Sequence, residues 1–297
     1  MRLVTYEVEH KGGLGVISKD GKWVYPLRSL DMDYKTMQEL IEGISESEKQ
    51  LLEYVSGQNP YKIRGAAPIE EVRFLAPIKN PKQDVICLGI NYMDHAEESA
   101  RYKKEAFGGE RPYAVYFSKR VNESVANGDG IQSHSDIVTD LDYEVELAVV
   151  LGRDALHVRE EDVGDYIFGY SVANDVSARD VQYRHKQNFL GKSLDTFFAM
   201  GPVIVTADEF PCPPALSIRS FVNGELRQNS VTDQVFFNIR HIVSELSQGM
   251  TLPAGTILIT GTPAGVGMGM DPPCFLKRGD VVTCEIDGIG RISNPIR

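Results

Sequence analysis

The sequence predicts a mainly β protein of the α+β class, with a closed or rolled sheet rather than a doubly wound one. From about residue 72 onward, short apolar runs rich in β-branched and aromatic residues are separated by Gly, Pro, Asn and Asp. Such runs predict many short strands joined by tight turns. Strand and helix patterns do not alternate as they do in βαβ folds, and the chain has no visible internal repeat.

Two domains are predicted, a small α+β domain over residues 1–70 and a larger β-rich domain over residues 71–297. In the small domain, two alternating runs predict strands, a mostly polar run predicts helix, and a cluster of Gly and Pro predicts a linker. These elements are, in order, Leu3–Val8, Leu14–Ile17, about Tyr34–Val55 and Gly57–Pro68. No residue pattern in this domain indicates chemistry.

The larger domain is predicted to be built mostly from strands. The predicted strands are Val85–Ile90, Tyr113–Ser118, Tyr143–Leu151, Ile167–Asn174, Gly201–Thr206, Leu216–Val222, Thr256–Thr260 and Asp280–Ile286. Helical patterns cover about Tyr92–Lys104 and about Phe236–Leu246. The many strands and few helices of this domain determine the predicted fold class.

The composition excludes nucleic acid as a partner and predicts no association with a membrane. The 297 residues include 42 Asp and Glu against 31 Lys and Arg, which gives a formal net charge of −11. The basic residues are scattered, whereas binding to nucleic acid needs Lys and Arg gathered on one face. No apolar run approaches the roughly 20 residues that span a bilayer, and the first residues lack the apolar stretch of a signal peptide. A cytoplasmic location is therefore predicted.

The segment from Asp140 to Leu151 concentrates carboxylates on a predicted strand. Side chains alternate along a strand, so Glu144 and Glu146 are predicted to share a face with Asp140 and Asp142. The apolar residues that follow predict burial, and buried carboxylates need a cation or basic partners. A hard divalent cation such as Mg²⁺ or Mn²⁺ meets that need. The alternative is a solvated acidic edge strand that resists aggregation.

Two further segments place polar residues beside apolar strands. Asp175 ends one predicted strand, where it serves either a functional site or the cap of the following turn. Gly191-Lys192 resembles the end of a phosphate-binding loop, but Lys186 stands where that loop needs its first glycine, so the nucleotide hypothesis fails. The glycine-rich run Thr260–Met270 predicts a loop that either holds an anion with its backbone N–H groups or is a structural turn.

A histidine and a carboxylate are paired on the helix that follows the first strand of the larger domain. His95 and Glu98 lie three residues apart and so can touch on one helical face. A histidine oriented by a carboxylate is a general base near neutral pH, although such pairs are commonly surface contacts only. The histidines lack H-E-x-x-H spacing and the four cysteines lack C-x-x-C spacing, which argues against a zinc enzyme.

In their order along the chain, these segments resemble the fumarylacetoacetate hydrolase family over roughly residues 72–297. The resemblance rests on Gly89–His95, Asp142–Leu147, Asp175–Gln182, Gly191-Lys192, Gly201-Pro202 and Thr260–Gly267. It implies a twisted β-roll or sandwich, often dimeric, so a homodimer is expected. It also implies a Mg²⁺ or Mn²⁺ ion held by the residues that match the family's carboxylate ligands, namely Glu144, Glu146 and Asp175.

The resemblance also implies roles for residues around the ion. Lys192 and Gln182 are expected to face the substrate, together with Arg179, and Thr262 is expected to contact its carboxylate end. His95 and Glu98 match a dyad that activates water on a mobile lid, here predicted within residues 96–112.

Two departures from the family pattern modify this expectation. No aspartate stands shortly before His95 to serve as a further ligand, so water is expected to complete the metal shell. The usual Lys-Pro pair is Lys119-Arg120 here, which predicts an extra cation near the pocket mouth and places Lys119 among the expected substrate contacts. An added cation there favours a dianionic substrate.

The predicted function is metal-dependent hydrolysis of a carbon–carbon bond in a small 2-oxo acid, an acylpyruvate or a fumarylacetoacetate-like compound. Attack of water activated by His95 leaves a metal-stabilised enolate of the pyruvate type. The same enolate serves two alternative reactions, decarboxylation of oxaloacetate and isomerisation of a substrate of the 2-hydroxyhepta-2,4-diene-1,7-dioate type. A different class is also open, namely a dicarboxylate-binding protein without turnover.

Overall fold

The structure is a computed structural model, and it describes residues 1–103, 109 and 112–297. Within these residues, eleven strands form one mixed sheet in the order β4-β3-β2-β1-β12-β10-β9-β15-β6-β7, with β5 also paired to β1. Their bounds are β1 Arg2–Val8, β2 Lys11–Ile17, β3 Trp23–Pro26, β4 Ala67–Pro68, β5 Arg73–Phe74, β6 Val85–Gly89, β7 Val115–Lys119, β9 Val145–Leu151, β10 Ile167–Asp175, β12 Phe198–Thr206 and β15 Ile257–Ile259.

A second, antiparallel sheet packs against the large one. It has the order β14-β13-β16-β17, and two short strands, β8 and β11, pair beside the large sheet. The bounds are β8 Leu141–Asp142, β11 Ser177–Ala178, β13 Ser217–Val222, β14 Glu225–Val231, β16 Val281–Ile286 and β17 Gly290–Pro295. Two packed sheets with few helices confirm the predicted mainly β class.

The helices are short, and three of the six carry residues that line the cavity described below. They are α1 Met37–Gly43, α2 Glu46–Ser56, α3 Met93–Lys103, α4 Arg179–His185, α5 Asn188–Lys192 and α6 Ile239–Ser247. The single predicted helix over Tyr34–Val55 is two helices, because Ser45 forms a capping box with Glu48 and starts a new one. No helix in the described part of the chain is long and apolar enough to cross a membrane.

The first 70 residues continue the large sheet through main-chain pairing. Leu3 of β1 is paired with Ile204 of β12, and β2, β3 and β4 extend the sheet outward from there. The predicted linker contains the short strand β4. The division into two domains at residue 70 stays a prediction.

Strand β9 lies between β10 and β15 and contributes side chains to both hydrophobic cores. Val145, Leu147 and Val149 enter the core between the two sheets, whereas Ala148 and Val150 enter a second core beneath the N-terminal helices. Every residue of β9 is buried, as the apolar run predicted. Glu146 lies on the same face as Ala148, and the residues before and after it in β9 are buried as well.

Candidate metal centre and active site

Glu144, Glu146 and Asp175 form one buried cluster. Each offers a carboxylate oxygen, and these ligand atoms all lie within 4.8 Å of one another. The antiparallel pairing of β9 with β10 creates the cluster, since Ala173 is the partner of Glu146 and the Asp175 amide donates to the Glu144 carbonyl at 2.8 Å. The alternative of a solvated acidic edge strand is wrong, because β9 lies between two strands and Glu146 is only 1% exposed.

Two lysines bind the two oxygens of Asp175. Lys192 Nζ lies 2.5 Å from Oδ2 and Lys119 Nζ lies 2.6 Å from Oδ1. Lys119 also donates to the Val176 carbonyl at 3.0 Å, and its side chain is fully buried. The ammonium group of Lys119 is thus bound to the protein, and Lys119 is not among the residues that line the cavity; its contact with substrate stays a prediction. The predicted cation at the pocket mouth is wrong, because Arg120 pairs with Asp84 at the surface.

Glu144 is surrounded by cations. Lys192 Nζ lies 2.7 Å from its Oε2, and Arg179 Nη2 lies 2.7 Å from its Oε1. Burial would raise the pKa of Glu144, but the charges of Lys192 and Arg179 outweigh burial and hold that pKa well below its usual range. The two cations thus favour the ionised form of Glu144.

Glu146 has different neighbours from Glu144. Within the described residues it forms no ion pair, and the Gly261 amide donates to its Oε2 at 2.6 Å. Burial, and then the negative charges of Asp175 and Glu144, raise the pKa of Glu146 well above its usual value. A set of oxygen donors with one buried carboxylate that lacks a cation fits a hard divalent ion such as Mg²⁺ or Mn²⁺.

Asp142, from the same acidic segment, has a different environment. Its Oδ1 accepts from the Gly267 amide at 2.7 Å, and its Oδ2 accepts from the Met268 amide and from Arg179 Nε, both at 3.0 Å. Asp142 is not among the clustered carboxylates, although Arg179 binds both Asp142 and Glu144. Asp142 links Arg179 to the glycine-rich loop instead of joining the cluster.

A cavity of about 930 Å³ opens beside the cluster. Six of the predicted site residues line it: His95, Glu144, Arg179, Gln182, Lys192 and Thr262. Lys192 is 2% exposed, and its ammonium lies 5.7 Å from the ring centre of Phe117, another residue of the cavity wall. A small molecule in the cavity therefore meets Glu144 and the ammonium group of Lys192 side by side.

His95 and Glu98 form a buried pair on α3. His95 Nδ1 lies 3.0 Å from Glu98 Oε2, and the two residues are 4% and 5% exposed. The alternative of a surface contact is therefore wrong. Glu98 Oε1 accepts from the Gly265 amide at 2.9 Å, which binds the helix to the glycine-rich loop. The predicted lid over residues 96–112 includes residues 104–108, 110 and 111, which lie outside the described residues.

The glycine-rich loop binds carboxylates of the protein itself. The amides of Gly261, Gly265 and Gly267 donate to Glu146, Glu98 and Asp142 respectively. These three N–H groups are consequently not available to a free anion. The loop instead joins residues from three different parts of the chain.

Thr262 and Gln182 lie on the cavity wall, and both already have protein partners. The Thr262 hydroxyl donates to the Val145 carbonyl at 2.9 Å, and Gln182 Nε2 donates to Asn188 Oδ1 at 3.2 Å. Arg179 Nη1 donates to Gln182 Oε1 at 3.4 Å. Their contacts with substrate stay predictions.

Two positioning residues were missed in the sequence. Asn91 is 1% exposed and donates to the Thr260 carbonyl at 2.8 Å, so it fixes the start of the His95 helix to the glycine-rich loop. Gln228 is fully buried and donates to Thr262 Oγ1 at 2.6 Å. A polar residue just beyond β6, after Ile90, was the only signal for Asn91, whereas the position of Gln228 on β14 gave none.

Comparison with known proteins agrees with this geometry. Residues 84–297 match the family model described as fumarylacetoacetate (FAA) hydrolase C-terminal. The chain is 40% identical over 306 residues to oxaloacetate tautomerase YisK of Bacillus subtilis (strain 168), and the match covers 100% of this chain and 100% of that protein.

Solved structures match over the whole chain as well. A fumarylacetoacetate hydrolase from psychrophilic Exiguobacterium antarcticum has a TM-score of 0.82 at 36% identity, covering 100% of this chain and 99% of that one. Maleylpyruvate hydrolase from Sphingobium sp. SYK-6, solved with manganese(II) and pyruvate, has a TM-score of 0.77 at 26% identity, covering 100% and 98%. Manganese in that structure and the buried carboxylate cluster in this one together indicate a divalent-metal site.

Proposed function

The chain belongs to the fumarylacetoacetate hydrolase family, and we propose that it is a divalent-metal-dependent tautomerase of a small 2-oxo diacid such as oxaloacetate. One observation carries the proposal: the buried cluster of Glu144, Glu146 and Asp175 adjoins a cavity whose wall also contains Lys192 and His95. The name of the Bacillus subtilis relative favours keto–enol isomerisation over the carbon–carbon hydrolysis predicted from the sequence.

Glu144, Glu146 and Asp175 would hold a Mg²⁺ or Mn²⁺ ion. Such an ion supplies positive charge that stabilises the enolate oxygen of a 2-oxo acid. The support is the all-oxygen donor set and the buried Glu146 carboxylate without a cationic partner. Lys119 fixes Asp175 from the side away from the cavity, so Asp175 Oδ1 stays oriented.

Two side chains on the cavity wall, Lys192 and His95, have separate roles in the proposed reaction. The Lys192 ammonium attracts the anionic substrate and orients the oxygen that gains charge. His95 carries a proton between the carbon next to the carbonyl and solvent or the enol oxygen. We assign the Nδ1–H of His95 to Glu98, because that hydrogen bond leaves Nε2 as the base. The keto and enol forms differ only in the position of this proton, so no co-reactant is needed.

Hydrolysis of a carbon–carbon bond is the second candidate. The buried His95–Glu98 pair supports it, since a histidine held by a carboxylate can also take a proton from water that attacks a distal carbonyl. A substrate with a second carbonyl group would then be cleaved at the same site. The two reactions differ in substrate rather than in the groups that the protein supplies.

The test is an assay of the metal-free protein after readdition of Mg²⁺ or Mn²⁺. Enol oxaloacetate is followed by its ultraviolet absorbance, oxaloacetate decarboxylation by pyruvate formation, and acylpyruvate hydrolysis by release of the carboxylic acid. We expect metal-dependent tautomerisation to be the fastest of the three. Failure of both ions to accelerate it would refute the proposal, and faster acylpyruvate cleavage would favour the second candidate.

A homodimer completes the proposal, and the resemblance to the family supports it. Light scattering on the purified protein measures the mass directly, against 33.0 kDa for one chain. A mass of one chain at micromolar concentration would contradict the dimer.

A further inference from the structure

Tyr92 is a fully buried tyrosine directly before α3, and the proposed function does not yet use it. Its side chain is 0% exposed, but it belongs to neither of the two hydrophobic cores. Among the residues that the structure describes, none forms a hydrogen bond with its hydroxyl group. A buried hydroxyl without a partner costs free energy, and the partner of such an atom is commonly a water molecule or an ion.

The backbone is strained just before Tyr92. Ile90 lines the cavity and has φ 51°, in the left-handed region that a β-branched residue rarely adopts. Asn91 holds this turn in place, because its side chain forms hydrogen bonds with the main chain of Thr260 and of Phe237. Strain of this kind persists only where the surrounding structure fixes it, and it occurs mainly at functional sites. The strain therefore indicates a function for the residues that this turn positions.

The same turn lies against the metal centre. A Cβ atom built on Gly261 would lie 2.8 Å from the Cβ atom of Asn91, so these two parts of the chain are in direct contact. The Gly261 amide in turn donates to Glu146 Oε2 at 2.6 Å. Glu146 and the turn that leads into Tyr92 are therefore connected through one glycine.

Glu146 is the buried carboxylate in the environment of the Tyr92 hydroxyl. Burial raises the pKa of Tyr92 well above its usual value, and the negative charge of Glu146 has the next largest effect, so the hydroxyl keeps its proton. Asp94 and Asp233 raise this pKa less, and both are exposed to solvent. Glu146 is 1% exposed and forms no ion pair with a described residue. The hydroxyl is thus a hydrogen-bond donor enclosed near a carboxylate that lacks a cation.

We propose that the Tyr92 hydroxyl positions Glu146 for metal binding by donating a hydrogen bond to one water molecule that Glu146 also binds. The inference rests on the proposed function and adds a positioning residue to its metal centre. A water molecule is needed between the two side chains, because they form no direct hydrogen bond. A buried water needs roughly two to four polar partners, and the hydroxyl, the carboxylate and the ion would supply three.

A purely space-filling role for Tyr92 is the competing explanation. In that role the ring matters and the hydroxyl does not, so removal of the oxygen atom would leave metal affinity unchanged. Removal would also stabilise the protein, because it eliminates a buried polar group without a partner. Space filling alone does not explain why the turn at Ile90 is strained.

Tyr92→Phe removes only the hydroxyl oxygen and so separates the two explanations. The metal-stripped full-length protein is titrated calorimetrically with Mn²⁺ and with Mg²⁺. We expect both ions to bind the variant about ten-fold more weakly, at the lower end of the range for groups that orient a metal ligand. Tyr170→Phe is the matched control and should keep the wild-type affinity. Tyr170 is also fully buried, but it lies five residues before Asp175 on β10, roughly 17 Å away along the strand.

The outcomes distinguish the inference from the proposed function. Weaker binding in Tyr92→Phe alone supports the inference. Wild-type affinity in Tyr92→Phe, or an equal loss in Tyr170→Phe, overturns it and leaves the proposed function standing. If neither ion binds the wild-type protein, the proposed function is wrong and the inference falls with it.

A crystal structure of the Mn²⁺-loaded wild-type protein is a second test that needs no variant. We expect one water molecule within hydrogen-bond distance of both Tyr92 Oη and a Glu146 oxygen. A direct contact between the two side chains, or the absence of such a water, would overturn the inference.

Discussion

Gly269 leaves the space that the Glu98 carboxylate occupies. A Cβ atom built on Gly269 would lie 1.9 Å from Glu98 Cδ and 2.0 Å from Glu98 Oε1, closer than atoms can approach. The position of the His95–Glu98 pair therefore depends on a glycine in a distant loop. Any side chain at residue 269 would displace Glu98 and release His95 from its orienting partner.

Gly269→Ala should therefore lower activity more than stability. We expect tautomerisation to slow by about 10²-fold, within the range attributed to a positioned acid–base group. Metal affinity should stay near the wild-type value. Gly249→Ala is the matched control, because a Cβ at Gly249 would meet nothing within 4 Å. Equal rates in the two variants would show that Glu98 does not orient His95.

Glu146→Gln tests the metal centre with little change in shape. Gln keeps the size of Glu but removes the charge that lacks a cationic partner, so calorimetry should report at least about 10²-fold weaker binding of Mg²⁺ or Mn²⁺. At 100 times the dissociation constant, the ion should stabilise the wild type by about 2.7 kcal/mol, and this gain should vanish in the variant. Unchanged affinity in Glu146→Gln would remove Glu146 from the ligand set. Glu123→Gln, at an exposed carboxylate, serves as control.

The variant Lys119→Met tests whether Lys119 positions Asp175 or contacts the substrate. The variant keeps most of the aliphatic stem but leaves the buried Asp175 Oδ1 without its cation, so the metal-free protein should lose about 3 kcal/mol in urea unfolding. Arg120→Met removes the neighbouring exposed cation, which pairs with Asp84, and should cost under about 1 kcal/mol. Normal stability of Lys119→Met with a higher KM for substrate would support the original prediction of a substrate contact.

His95→Gln distinguishes proton transfer from decarboxylation. We expect tautomerisation and any acylpyruvate hydrolysis to fall by about 10²- to 10⁴-fold, because both need a base on the cavity wall. Decarboxylation of oxaloacetate, if present, should be largely spared, because loss of CO₂ requires no proton to be removed from carbon. Metal affinity, measured in parallel, should not change. Equal loss of all three reactions would mean that His95 also shapes the cavity.

Local rules identified the three carboxylates as candidates, but only the resemblance to the family joined them into one ligand set. Glu144 and Glu146 alternate along one strand and Asp175 ends the next, and antiparallel pairing of β9 with β10 brings them together. Asp142 was predicted on the same face, but it lies outside the cluster, because Arg179 Nε and the amides of Gly267 and Met268 bind its carboxylate. A periodic pattern predicts which residues share a face, but not which of them share a partner.

Such local rules could not predict contacts between residues that are far apart in the chain. Lys119 is the last residue of β7, and nothing in its neighbourhood along the chain indicates that it reaches Asp175. Likewise, the spacing of His95 and Glu98 predicted their contact but not their burial, which depends on Gly265 and Gly269. Tertiary packing, rather than local sequence, determines whether such a pair is exposed or buried.

The pairing of Leu3 with Ile204 has a practical consequence for work with shortened chains. A protein that begins at residue 71 would lack the strand that covers one edge of β12, and the free N–H and C=O groups of Phe198–Thr206 would be open to pairing with another molecule. Expression of the family-matching region alone should therefore yield insoluble aggregates, although all the proposed metal ligands are retained. The N-terminal residues should therefore protect the edge of β12 from aggregation, although none of them is a proposed metal ligand.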